Sequence, residues 1–153
     1  MSKINYTIGD VTQPREAGLK FLIHCSNDCH AWGTGVVLAI SKRWKQPEET
    51  FRATKVLSLG DIQVVPVETN LTVINMIGQH GVGRGRDGKP PIRYNAIEAC
   101  LKKVADLAIE HHAVIVAPRF GAGLAGGSWE VIEMLIDQQL CQRGIEVTIY
   151  DLK

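Results

Sequence analysis

Short apolar segments alternate with longer amphipathic segments along this chain, and this alternation constrains the fold more than any other feature. The short segments are rich in β-branched residues and nearly continuous in apolar character, which is typical of buried strands. They predict strands at Ile4–Ile8, Phe21–Cys25, Ile62–Val67, Thr72–Ile77, Val114–Ala117 and Val147–Tyr150. Helical periodicity predicts helices from Gly35 to about Trp44, from Tyr94 to His111 and from Trp129 to about Cys141. The sequence therefore predicts an α/β fold in which helices cover both faces of a mostly parallel sheet.

Helix boundaries and chain length bear on the domain organisation. Pro47 and Gly144 are predicted to stop helices, and Ser128 is predicted to cap the helix that follows it. No repeat or linker-like stretch divides the 153 residues, and this length suits one hydrophobic core. We therefore expect a single domain over residues 1–153.

Charge and targeting signals exclude several classes of protein. The formal net charge is +1, so the chain as a whole has no strong attraction to nucleic acid or to a membrane surface. The first residues lack the basic and apolar regions of a signal peptide, and no apolar run approaches the ~20 residues of a membrane span. We expect a cytoplasmic protein with no membrane partner.

The cysteines of such a protein are predicted to be reduced thiols, because the cytoplasm is not an oxidising compartment. There are four of them, at positions 25, 29, 100 and 141. Cys25 and Cys29 stand beside His24 and His30, which invites a zinc interpretation. Cys-x-x-x-Cys without a second ligand pair is a weak zinc signal, so we predict no metal site.

Two glycine-rich segments each follow a predicted strand and precede a predicted helix. The first is Asn27–Gly35 and the second is Pro118–Gly127. Glycine permits positive φ, which we expect at Gly123, and it lets successive N–H groups turn toward one anion. The positive end of the following helix adds to this attraction, so each loop is a candidate diphosphate site. Tight strand-to-helix turns without a ligand are the alternative interpretation.

The loops do not fit two better-known nucleotide motifs. Neither has the Gly-Lys-Ser/Thr of a Walker loop or the later acidic residue of a dinucleotide fingerprint. This argues against nucleotide triphosphate hydrolysis and hydride transfer. Asp10 follows the first predicted strand, where its carboxylate can accept a hydrogen bond from an adenine amino group or cap a turn.

Four sets of residues, in order along the chain, resemble the motifs of the macro domain family. They are Ile8–Thr12, Leu22–Asn27 with Trp32–Val36, Ile92–Ile97, and Pro118–Leu124 with Trp129 and Glu130. The resemblance covers essentially the whole chain and is closest to the branch of the terminal ADP-ribose protein glycohydrolase and the ADP-ribose 1''-phosphate phosphatase. It implies a three-layer α-β-α fold with a central, mostly parallel mixed sheet. It also implies binding of ADP-ribose or an ADP-ribosylated substrate, with no cofactor.

The resemblance implies roles for individual residues. Asp10 would hold the adenine amino group, Val11 would support the ring and Tyr150 would pack nearby. Asn27 would contact the distal ribose. The remaining residues would surround the diphosphate and riboses: Gly33, Thr34, Gly35 and Val36 in the first loop, and Phe120, Gly121, Ala122, Gly123 and Leu124 in the second.

The reactive residues of related hydrolases are missing at the matching positions. Gln79 stands where the glycohydrolase branch has a lysine, Ala125 where it has an aspartate, and Val37 where another macro-domain hydrolase has an aspartate. None of these three can replace a nucleophile or a proton-transfer group. His24, which the phosphatase also carries, and His80 are therefore the candidate catalytic residues, because histidine titrates near neutral pH. The alternatives are a buried structural ring for His24 and a solvated loop residue for His80.

The loop Gln79–Lys89 carries three cations on a glycine-rich chain. Arginine suits bidentate contact with phosphate, so this loop is a candidate lid over the distal end of the ligand. An ordinary solvated loop is the alternative.

Three functional hypotheses follow from these residues. The first is an enzyme that removes a terminal group from the distal ribose, with ADP-ribose 1''-phosphate phosphatase activity as the leading reaction. The second is a non-catalytic ADP-ribose reader, and the third is a glycohydrolase with rearranged catalytic residues. We expect a monomer that meets nucleic acid only where the nucleic acid carries ADP-ribose.

Overall fold

The computed structural model describes residues 3–83, 88–123 and 125–153. Its strands are β1 (Ile4–Ile8), β2 (Lys20–Asn27), β3 (Ile62–Glu68), β4 (Leu71–Gln79), β5 (Val114–Ala117) and β6 (Val147–Asp151). Its helices are α1 (Val36–Arg43), α2 (Gln46–Ala53), α3 (Tyr94–His111) and α4 (Trp129–Gln139), and a 3-10 turn follows at Cys141–Arg143. The predicted strands and the three predicted helices are confirmed, most of them to within two residues at each end.

The strands form one sheet in the order β1-β6-β5-β2-β4-β3. Neighbouring strands are parallel except for β3, which pairs with β4 in antiparallel register. The exception follows from chain length, because Thr69 and Asn70 alone join β3 to β4, and so short a link makes a hairpin. The mostly parallel mixed sheet is confirmed.

Two hydrophobic clusters lie on opposite faces of this sheet. Residues of α1 and α2, such as Ile40 and Phe51, pack with Leu22 of β2 on one face. Residues of α3 and α4, such as Ile97 and Ile136, pack on the other face with the strand neighbours of Leu22, Phe21 and Ile23. Because successive strand residues point to opposite faces, a strand buried on both sides must be apolar throughout. The three-layer α-β-α arrangement is confirmed.

The helix α2 was absent from the sequence prediction, and the interpretation of Pro47 as a helix stop was wrong. Pro47 lies in the first turn of α2, where its missing N–H would have had no intrahelical partner. Phe51 is the one large apolar residue of α2, and it is fully buried. A single buried apolar residue gives almost no helical periodicity, so the sequence pattern does not predict this helix. In the structure the helix is held to the core by the packing of Phe51 on Trp32.

The strands β2 and β4 extend two residues further than predicted, to Asn27 and Gln79. The register between them shifts after Ser26, so that Asn27 pairs with Gln79. The prediction placed the end of β2 directly after His24, whereas the structure places His24 inside the strand. Among the described residues, no helix combines the length and the apolar character needed to cross a membrane.

Candidate ligand-binding cleft

A cleft of about 270 Å³ opens at the carboxyl ends of β5, β2 and β4. Gly33–Val37 of the first glycine-rich loop and helix α1 line one side of it. The second loop lines the other side through Pro118–Gly121, Gly123 and Ala125. Cys25–Asn27 and Ala31 lie at its base, and Gln79 and Val82 lie at the end nearest β4.

The strand order explains why a cleft forms at this place. β5 and β2 are adjacent, but the chain leaves β2 for α1 on one face and leaves β5 for α4 on the other. The two loops therefore diverge above the sheet, which is the usual position of a ligand in an open α/β fold. The two glycine-rich loops identified in the sequence both line this cleft.

The first loop is held in shape by Asn27 and by an unusual glycine. Oδ1 of Asn27 accepts the N–H groups of Cys29 and Ala31, each at 3.0 Å, and its Nδ2 donates to the Ala31 carbonyl at 2.7 Å. Gly35 caps α1 with φ 78° and ψ −147°, a conformation open only to glycine, and no side chain caps this helix. The first N–H groups of α1 therefore lie at the side of the cleft.

The second loop turns tightly at two glycines. Gly121 has φ 76°, and a Cβ there would lie 2.9 Å from the Cδ1 atoms of both Ile92 and Ile132. Gly126 also has a positive φ, and the Gly127 N–H donates to the Gly121 carbonyl at 2.8 Å. The prediction of positive φ at Gly123 was wrong, because the reversal is made at Gly121 and Gly126. Gly123 has open space around it at the cleft, and Leu124 lies outside the described residues.

The three residues expected around an adenine lie beyond the cleft, at the ends of β1 and β6. Asp10 Oδ1 accepts the Thr12 hydroxyl at 2.7 Å and the Thr12 N–H at 2.9 Å, and its Oδ2 lies 3.7 Å from Arg43. The hydrogen bonds from Thr12, with the nearby guanidinium, lower the pKa of Asp10 below its ordinary value. Val11 and Tyr150 are buried in the hydrophobic cluster that packs α1 and α2 against the sheet. The carboxylate is therefore a fixed, charged acceptor at this edge.

His24 is fully buried beneath the floor of the cleft. Its Nε2 lies 2.6 Å from Asn75 Oδ1, and the Asn75 amide group donates to Gln63 and to the Pro47 carbonyl. Oδ1 of Asn75 is then an acceptor, which assigns the ring proton of His24 to Nε2. Burial lowers the pKa of His24 to about 4, so the ring is neutral at pH 7. A catalytic role for His24 stays a prediction, and its burial counts against direct contact with a ligand.

His80 directly follows Gln79 but is not among the residues that line the cleft, and the structure pairs it with Asp28, which the sequence did not reveal. Its Nδ1 is 2.7 Å from Asp28 Oδ2, and the other oxygen of Asp28 accepts the Gly81 N–H at 2.8 Å. Burial alone would raise the pKa of Asp28, but the hydrogen bonds from Gly81 and His80 hold it below its ordinary value. The side chain of His80 is 64% exposed, so its other nitrogen is accessible. His80 is thus oriented by a carboxylate, as a general acid or base usually is.

The three residues that the resemblance matches to reactive residues of related hydrolases, Gln79, Val37 and Ala125, all line the cleft. Gln79 donates from Nε2 to the Gly81 carbonyl at 2.9 Å. Val37 and Ala125 are buried in the walls of the cleft. Arg119 is the one charged side chain among the described lining residues, and it forms a two-point pair with Asp151. Of the lid loop Gln79–Lys89, residues 84–87 lie outside the described residues.

The cysteine at the base of the cleft keeps its proton, and the described residues show no group of metal ligands. All four cysteines are free thiols. Burial raises the pKa of Cys25, at the base of the cleft, to about 12, so the thiol keeps its proton. Within residues 3–83, 88–123 and 125–153, no three His, Cys, Asp or Glu side chains are grouped as metal ligands.

Comparisons with known proteins identify the family. No protein-family model matches the chain. The macrodomain protein of Streptomyces coelicolor is 45% identical, with a TM-score of 0.84 over 97% of this chain and 99% of that one. The chain belongs to the macrodomain family. A protein of unknown function from Bacteroides thetaiotaomicron is 47% identical to this macrodomain, with a TM-score of 0.95 and 99% of each chain covered.

More distant likenesses extend to longer proteins. The mouse chromodomain-helicase-DNA-binding protein 1-like is 32% identical over 97% of this macrodomain, which spans 18% of that protein's length. The Trypanosoma brucei macrodomain, solved in complex with ADP-ribose, is 13% identical, with a TM-score of 0.66 over 98% of this chain and 64% of that one. At 13% identity this second likeness shows the fold alone.

Proposed function

We propose that this macrodomain binds ADP-ribose, free or attached to another molecule, along the carboxyl edge of its sheet. The observation that supports this most is the order of chemical groups along that edge. A fixed carboxylate acceptor at β1 is followed by two glycine loops at β5 and β2, and then by polar side chains at the ends of β2 and β4. The order matches a base, a diphosphate and a distal sugar.

The spacing of the strands supports the same assignment. Adjacent strands lie about 4.8 Å apart, so the end of β1 is about 14 Å from the end of β2 and about 19 Å from the end of β4. We assign the adenine to Asp10, Val11 and Tyr150, and the distal ribose to Asn27 and its neighbours. The diphosphate then lies between the loops, held by the residues from Gly33 to Val36 and from Phe120 to Leu124.

The electrostatics of the cleft favour binding through the backbone. The described lining has one charged side chain, Arg119, and it is already paired with Asp151. Neutralisation of a diphosphate therefore falls to loop N–H groups and to the positive end of α1, which needs no lysine. Glycine loops without basic side chains suit this kind of recognition.

ADP-ribose is expected to stabilise the protein against heat, because a ligand that binds only the native cleft shifts the folding equilibrium by mass action. At a concentration ~100-fold above the dissociation constant, the gain should be about 2.7 kcal/mol. Differential scanning fluorimetry and calorimetric titration with ADP-ribose measure this. Neither heat nor a shift of the melting temperature at millimolar ligand would disprove the proposed function.

Asp10→Ala should weaken ADP-ribose binding by about 10–150-fold, because it removes a charge-assisted hydrogen bond of roughly 1.5–3 kcal/mol. Calorimetry with ribose 5-phosphate, which lacks the base, should show little change. Asp106→Ala is the matched control, since Asp106 is an exposed carboxylate on α3 that pairs with Arg143. Equal losses for the two ligands would show that Asp10 does not contact the adenine.

The pair of His80 and Asp28 favours a second candidate, hydrolysis at the distal ribose. We propose His80 as a general acid or base, because Asp28 orients it and it directly follows Gln79, which lines the β4 end of the cleft. ADP-ribose 1''-phosphate is the leading substrate, since a terminal phosphate needs no lysine nucleophile at Gln79. A reader without activity remains the alternative. That the protein is a cytoplasmic monomer with one domain over residues 1–153 stays a prediction.

A further inference from the structure

The hydroxyl group of Ser26 is buried without a hydrogen-bond partner. Ser26 is 4% exposed, and among the described residues its Oγ contacts no donor or acceptor. A buried hydroxyl without a partner costs about 1–3 kcal/mol of desolvation, so native proteins rarely keep one without a reason. The side chain therefore needs an explanation.

The position of Ser26 offers one, because this residue lies at the base of the cleft. The polar side chains beside it are already engaged in the protein. Asn27 uses its oxygen and its amide group to shape the first loop, and Gln79 donates to the Gly81 carbonyl. Within the described part of the chain, Ser26 is thus the one residue of β2 that lines the cleft and has a side-chain oxygen without a protein partner.

Among the described residues, His24 Nδ1 is the other buried side-chain atom without a hydrogen-bond partner, but it does not account for Ser26. The two residues alternate along β2, so their side chains point to the same face, about 7 Å apart, and no hydrogen bond joins them. A serine hydroxyl has one donor and two acceptor sites. Even with its proton turned toward His24, Ser26 would keep acceptor sites for another group.

We propose that Ser26 is a specificity-determining residue whose hydroxyl hydrogen-bonds an oxygen of the distal ribose. This rests on the proposed binding of ADP-ribose, because it assigns the sugar to the ends of β2 and β4. The contact is completed only by a ligand with a second sugar. Ser26 should therefore help the protein to distinguish ADP-ribose from ADP, which has the base, the first ribose and the diphosphate but lacks the distal ribose.

The test compares the binding of ADP-ribose and ADP by calorimetry in wild-type protein, Ser26→Ala and the control Ser58→Ala. Ser58 is an exposed serine in the turn before β3. Ser26→Ala should bind ADP-ribose about 3–10-fold more weakly and ADP within twofold of wild type, the effect of one neutral hydrogen bond. Ser58→Ala should change neither affinity.

The melting temperature without ligand separates a binding role from a structural one. Removing an unpartnered buried hydroxyl should leave it unchanged or raise it, whereas a serine that supports the fold would lower it. If the alanine variant does not fold, Ser26→Cys provides the same comparison of ADP-ribose with ADP, because a thiol has a similar shape but forms only weak hydrogen bonds.

Two results distinguish the proposals. Wild-type affinity for ADP-ribose in Ser26→Ala, or equal losses for ADP-ribose and ADP, would overturn the Ser26 contact and leave the proposed function intact. Failure of the wild-type protein to bind ADP-ribose would overturn both.

Discussion

His80→Ala is expected to slow the release of phosphate from ADP-ribose 1''-phosphate by about 10²–10⁴-fold, the usual contribution of a positioned acid or base. His80 is oriented by the carboxylate of Asp28, and its second nitrogen remains accessible. Affinity for ADP-ribose should change little, because the residues proposed to contact the diphosphate and the adenine lie elsewhere. Steady-state assays of phosphate release, with calorimetry on the same variants, measure both quantities.

Two controls make the result specific to the pair. His111→Ala removes an exposed histidine from the far end of α3 and should not alter the rate. Asp28→Asn keeps an acceptor for the Gly81 N–H but withdraws the charge from His80, so it should slow the reaction less than His80→Ala. A His80→Ala enzyme with the wild-type rate would remove His80 from the mechanism. Wild-type protein that binds ADP-ribose but releases no phosphate would favour the reader.

His24 should make the protein lose about 3 kcal/mol of stability as the pH falls from 6.5 toward 4. Burial lowers its pKa from 6.5 to about 4 in the folded state, and each unit corresponds to about 1.4 kcal/mol. The unfolded chain takes up a proton below pH 6.5, whereas the folded protein does so only near pH 4. The stability contributed by the neutral ring is therefore present above pH 6.5 and lost as the pH falls through this interval.

Urea unfolding at pH 7.5 and pH 4.5 measures this loss. His24→Gln keeps a donor toward Asn75 but does not titrate, so its free energy of unfolding should fall much less between the two pH values. Carboxylates whose pKa is lowered, such as Asp10 and Asp28, contribute equally to both proteins and cancel in the difference. An identical pH dependence in wild type and His24→Gln would show that His24 is not buried as described.

The local pattern of the sequence predicted most of the sheet and the three helices α1, α3 and α4. Strands β1 and β5 and helix α3 begin and end at the predicted residues, because continuous apolar runs and helical spacing reflect burial directly. The glycine loops were also predictable, since they follow strands whose carboxyl ends meet at one edge. The resemblance to family motifs added the order of the residues that are proposed to bind the ligand.

Other features depend on contacts that no local pattern records. Helix α2 depends mainly on the packing of Phe51 on Trp32. In the second loop, positive φ occurs at Gly121, where Ile92 and Ile132 leave no room for a side chain. Tertiary structure also decided the chemistry of the two histidines. His24 is a neutral buried ring, whereas His80 contacts Asp28, which is 52 residues away in the sequence.

The sequence by itself determined which segments become strands, helices and glycine loops, because these choices depend mainly on residues that are close together in the sequence. The burial of His24, the unpartnered hydroxyl of Ser26 and the pairing of His80 with Asp28 were decided only in the folded protein. They depend on the strand order, which brings β2 and β4 together although α1, α2 and β3 separate them in the chain. Desolvation and hydrogen bonding act between neighbours in space, and those neighbours exist only after the sheet has formed.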